Sequence, residues 1–158
     1  MALVFRSLTP SDVGEILDYE NRRLADTIIN EADRNIHSWN ARWRKESLEF
    51  YAQSGWSFLV RDEDVKSPFS PEGLLMGYFL GQTLVYLDGH VQTLWVEHIQ
   101  FSSLQARDEL CDLAVRAARD KHFQKVVFPN VQNIKNTIKQ LKAEEWNTGC
   151  FQVATTKG

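Results

Sequence analysis

The sequence predicts a mixed α/β fold, a twisted and mostly antiparallel sheet flanked by helices, and three observations carry that prediction. Short β-rich stretches separated by turn residues occupy Trp56 to Gln100, the pattern of strands joined by hairpins. Apolar residues at helical spacing recur before and after that block. The last third reads strand, helix, strand, which calls for a crossover between parallel neighbours. The 158 residues suffice for one domain with a substantial core, and we expect a single domain over 1–158.

Ala2–Leu8 alternates and reads as the first strand. Thr9-Pro10-Ser11-Asp12 is a helix start, with Thr9 as cap, Pro10 in the first turn and the Asp12 carboxylate at the positive end of the dipole. Val13, Ile16, Leu17 and Leu24 then define a helix to about Ile28. A polar stretch, Asn30 to Asn35, separates it from a second helical pattern holding Ile36, Trp39, Trp43 and Phe50, which Ser54-Gly55 should stop. Strands are expected at Trp56–Val60, Leu74–Leu80 and His90–Gln100. The loop Asp62 to Gly73 lies between the first two, and the turn Asp88-Gly89 precedes the third. Gly81 marks either a strand end or a close backbone approach. A helix from Leu104 to His122, a buried strand Lys125–Phe128, a helix from Ile134 to Glu145 and a strand from Gly149 to Thr155 complete the order.

Composition narrows function. A formal net charge of −3 and a pI near 5.8 argue against a general nucleic-acid binder. No apolar run approaches the ~20 residues that span a bilayer, and Met1 to Arg6 lacks the features of a signal peptide. Cys111 and Cys150 are the only cysteines, too few for a disulfide framework, and we read them as buried thiols of a cytoplasmic protein. His37, His90 and His122 are scattered, and no His or Cys pair has metal-ligand spacing, so no metal site is expected.

The element order resembles the GNAT acyltransferase family. Phe5-Arg6-Ser7-Leu8-Thr9-Pro10-Ser11-Asp12 is similar to its first strand and helix start. Ala118 through Val126 is similar to the end of its central helix and the next strand, and Asn133 to Trp146 to its C-terminal helix. The resemblance implies transfer of an acyl group from acetyl-CoA or another acyl-CoA to an amine. It also implies a pyrophosphate loop before the central helix, whose glycines let backbone N–H groups approach the phosphates. The stretch Ser102, Ser103, Gln105 and Arg107 stands in that place, with side chains at both glycine positions. Asp108 and Glu109 follow and add negative charge, and Ser102 with Gln105 also reads as a capping box. The Tyr that would protonate the departing thiolate falls on Leu141.

Glu97 and His98, on the fourth strand, are the candidate general bases for an attacking amine. Adjacent strand residues face opposite sides, so only one of them is expected to point at a given cleft. Trp39 and Trp43, one turn apart on one predicted helix, are expected in the core, with an aromatic cleft wall as the other reading. Arg42, Arg44 and Lys45 are assigned to a solvated face. The functional expectation is a GNAT-like N-acyltransferase. Its alternative is a catalytically silent domain that binds a small molecule or protein in the same cleft.

Overall fold

In the computed structural model the described residues are 2–39, 41–85, 92–129, 134, 144–147 and 150–155. Strand β1 (Leu3–Ser7) runs into a single 3-10 turn at Pro10–Asp12, and helix α1 (Val13–Thr27) follows directly. The start is built much as its residues predict. The Asp12 carboxylate accepts the Thr9 N–H at 2.8 Å and is also gripped by Arg6 at 2.6 and 2.7 Å.

Two short helices come next, α2 (Glu31–Trp39) and α3 (Lys45–Ser54). The stretch from Asn30 to Asn35, expected to be a polar connection, is therefore largely helical. The Asn30 side chain caps α2 by accepting the Ala32 N–H at 2.8 Å, and Glu31 and Asp33 favour the helix N-terminus. Gly55, in the left-handed region at φ 81°, ends α3 as predicted.

The strands are β2 (Phe58–Asp62), β3 (Leu74–Val85), β4 (Gln92–Phe101), β5 (Lys125–Pro129), β6 (Glu144–Asn147) and β7 (Cys150–Ala154), with helix α4 (Leu104–Asp120) between β4 and β5. Among the described residues they form one seven-stranded sheet in the order β1-β2-β3-β4-β5-β7-β6. Every pairing is antiparallel except β4 with β5, the pair that α4 connects. The predicted mixed sheet with one parallel crossover is thus the observed one. Glu144 and Glu145 belong to β6, not to the end of a helix as expected. The rest of that predicted helix, the Asp88-Gly89 turn and Leu141 lie outside the described residues, apart from the helical Ile134.

Each face of the sheet carries its own core. Alanines 106, 114 and 118 with Leu110 bring α4 close to one face, over Val60, Phe79, Leu94 and Val96. On the other face Ile16 and Leu24 of α1 and Leu48 and Tyr51 of α3 cover Leu59, Tyr78 and Leu80. Cys111 is buried in the first core, as expected. Among the described residues no helix is long and apolar enough to cross a membrane.

The tryptophans divide. Because α2 ends at Trp39 and α3 starts at Lys45, they do not share a helix. Trp43, in the intervening turn, is 5% exposed and packs with the α1–α3 core, whereas Trp39 is 66% exposed. Core packing is therefore correct for Trp43 and wrong for Trp39. Trp43→Ala should lose about 3–5 kcal/mol in chemical denaturation, while Trp39→Ala should stay within about 0.5 kcal/mol of the wild type.

Candidate functional site

A β-bulge builds the site. Leu80 pairs with His98 and the next residue, Gly81, pairs with Val96, so Glu97 is an extra residue in β4. Gly81 is required here. A Cβ would come within 2.5 Å of the Trp56 carbonyl oxygen, while the Gly81 N–H donates to Ser57 Oγ at 3.1 Å. Gly81 is thus the close approach anticipated from the sequence, and β3 continues past it.

The bulge overturns the expectation that Glu97 and His98 face opposite sides. Glu97 accepts a hydrogen bond from Gln82 Nε2 at 2.6 Å and lies 3.8 Å from Arg42, in the turn before α3. His98 contacts Tyr78 and Glu20, both on the α1–α3 side. The extra residue resets the alternation, and both candidate bases lie on the same face.

Their surroundings differ. The Glu97 side chain is 3% exposed, and its Oε2 has no hydrogen-bond partner among the described residues. Burial pushes its pKa up and the nearby Arg42 charge only partly opposes this, which leaves a carboxylate with affinity for a proton. His98 Nε2 lies 3.1 Å from the Tyr78 hydroxyl, whose proton is committed to the fully buried Glu20. An N–H on His98 Nε2 faces both the Tyr78 oxygen and Glu20 Oε1, which is 3.5 Å away. Arg23 Nε donates to the second Glu20 oxygen at 2.7 Å. Burial raises the Glu20 pKa, but hydrogen bonds from His98 and Tyr78 and the Arg23 charge outweigh it and hold the group below the usual carboxylate value.

Above this network is a cavity of about 470 Å³, lined by Leu24, Ile36, Ala41 and Trp43 together with Arg23, His37, Arg42 and His98. On the opposite edge of β4, pairing with β5 runs only from Thr93 to Trp95, and the two parallel strands part beyond Val127. The last of these pairs, Trp95 with Val127, comes two residues before Glu97.

The sequence matches no protein-family model and no curated protein. Solved structures do match it over nearly the whole chain. An acetyltransferase of the GNAT family from Listeria monocytogenes superposes with a TM-score of 0.62 at 12% identity, covering 96% of this chain and 94% of that one. The PaiA N-acetyltransferase of Thermoplasma acidophilum, solved with coenzyme A, gives 0.63 at 9% identity over 98% and 99%. An agmatine N-acetyltransferase gives 0.66 at 12% identity over 96% and 99%. The chain has the GNAT fold.

Within the GNAT fold, the residues expected at the pyrophosphate position occupy the end of β4 and the first turns of α4, but not in the expected roles. Ser103, not Ser102, caps α4, accepting the Ala106 N–H at 3.1 Å. Ser102 hydrogen-bonds Tyr19 Oη at 2.6 Å instead, so the capping box with Gln105 does not form. Arg107 is buried and paired with Asp108 at 3.0 Å. It therefore neutralises one of the carboxylates expected to repel a phosphate, and it does not stand as an exposed cation at the helix start. Gln105 is exposed.

Sequence reasoning missed Glu20, Tyr78, Arg23 and Gln82; Arg42 is exposed as expected, and it also approaches Glu97. The signal for Glu20 was present, since it stands four residues from both Ile16 and Leu24 on the apolar stripe of α1.

The Glu20 pKa is lower folded than unfolded, so its contribution to stability is complete above the unfolded value near 4.3 and is lost as pH falls through the folded one. The stability gap between wild type and Glu20→Gln, measured by denaturant titration across pH 2.5–7, should be widest near neutrality and narrow in acid. A pH-independent gap would contradict the network.

Proposed function

We propose that this domain transfers an acyl group from acyl-CoA to a primary amine, with Glu97 as the general base. The observation that carries the reading is Glu97 itself, a buried carboxylate with one oxygen unpartnered among the described residues, set by the bulge two residues beyond the last β4–β5 pair. Proton transfer to a positioned group needs a base whose pKa lies near the working pH, and burial moves Glu97 in that direction. In the step itself the amine nitrogen forms a C–N bond to the thioester carbonyl carbon. Its proton passes to Glu97, the C–S bond breaks, and the thiolate departs and is protonated from solvent. His98, with Nε2 tied to Tyr78, positions the wall of the cleft.

The donor's phosphates would meet the start of α4. Ser103 Oγ is occupied by the cap and Arg107 by Asp108, which leaves the backbone N–H groups of Leu104 and Gln105 as the principal donors there. Acetyl-CoA is therefore expected to bind weakly. The same observation favours the second reading, a catalytically silent GNAT-fold domain that binds a small molecule or protein. The neighbours support acyl transfer by what they are: one is an agmatine N-acetyltransferase and another was solved with coenzyme A.

Calorimetric titration with acetyl-CoA, followed by detection of released thiol in the presence of a panel of primary amines, separates the two. Under acyl transfer, thiol release is amine-dependent, and Glu97→Gln lowers the rate about 100-fold or more while acetyl-CoA binding is kept. The acid side of the pH–rate profile should rise through the elevated Glu97 pKa and flatten in the variant. No acetyl-CoA binding at millimolar concentration would establish the silent domain.

A further inference from the structure

The cavity over β4 is unusual in its charge. Among the described residues its lining includes Arg23, Arg42, His37 and His98 and no carboxylate. Glu20 and Glu97 lie near it, but both are buried. Arg23 uses its Nε on Glu20, and its terminal nitrogens make no hydrogen bond to the described residues. Arg42 is 60% exposed and makes no hydrogen bond to them at all, only the 3.8 Å approach to Glu97. Two guanidinium groups with unused donors therefore border one cavity, and guanidinium forks match carboxylates in bidentate geometry. The remaining wall, Leu24, Ile36, Ala41 and Trp43, is apolar. An agmatine-like dication would meet repulsion here.

We infer that this cavity takes a small apolar amino acid, its carboxylate on Arg42 and Arg23, its side chain against Leu24, Ile36 and Trp43, and its amine toward Glu97. The inference rests on the acyl-acceptor reading of the cleft and names the class of acceptor. The geometry is consistent in both charges. Glu97 lies 3.8 Å from Arg42 and keeps a buried oxygen without a donor among the described residues, which an ammonium would supply. A cavity of about 470 Å³ is of the size that encloses such a molecule.

Three probes separate the parts: L-phenylalanine, phenethylamine, which lacks the carboxylate, and 3-phenylpropanoate, which lacks the amine. Calorimetric titration should show phenethylamine binding about tenfold or more weaker than phenylalanine, and 3-phenylpropanoate retaining measurable affinity. Arg42→Gln, at an exposed position, should abolish the preference for phenylalanine over phenethylamine with an unchanged thermal midpoint. Arg42→Lys should restore part of it. Phenethylamine binding as tightly as phenylalanine, a preference indifferent to Arg42→Gln, or no binding of any probe would overturn the inference. A carboxylate preference without any acetyl transfer would uphold this subsite and remove the enzymatic reading. Acetylation of phenethylamine in preference to phenylalanine would do the reverse.

Discussion

A carboxylate in the middle of α1 has no contact with solvent, and the arrangement of the α1–α3 face follows from having to satisfy it. Leaving Glu20 charged and unpaired would cost several kcal/mol, so it must sit where donors converge. Tyr78 of β3, His98 of β4 and Arg23 of α1 itself supply them. Because those donors come from two neighbouring strands and from the helix, the carboxylate ties the middle of α1 to the sheet. Near the start of the helix Arg61 of β2 holds both oxygens of Glu15 at 2.9 and 2.7 Å and adds a second tie to the sheet.

The second determinant is the extra residue in β4. Without it, His98 alone would share the α1–α3 face with Tyr78, and Glu97 would face α4. With it, two carboxylates from different elements lie on one face in opposite situations. Glu20 is surrounded by donors and held as an anion. Among the described residues Glu97 has one good donor, a distant guanidinium and an unpartnered oxygen. A pair of acidic groups whose environments push them apart is the usual way a protein assigns one to structure and the other to proton transfer.

Much of this was legible in the residues. Strand and helix order followed from alternation and helical spacing, Gly55 marked a helix end, and Gly81 marked a close approach. What escaped has physical reasons. The bulge leaves no signature on its own strand, since Glu97 and His98 look like any polar pair, and only the register with Gly81 reveals it. The break between α2 and α3 was hidden because Trp39 and Trp43 keep helical spacing across a turn. Asn30, read as part of a connection, is a cap. At α4, Ser102 and Ser103 are equally able to cap, and the choice falls to Ser103 because Ser102 is tied back to the sheet through its N–H to the Met76 carbonyl. Glu20 was visible on the apolar stripe of α1, yet a lone carboxylate there does not name its partners.

The site needs two carboxylates that titrate apart. Carbon-13 NMR of the glutamate side-chain carboxyls through a pH titration, with Glu20→Gln and Glu97→Gln for assignment, reads both in one experiment. The account predicts the Glu97 resonance titrating above the ordinary glutamate range near 4.3 and the Glu20 resonance below it. Both groups titrating at the ordinary value, or Glu97 below Glu20, would contradict it.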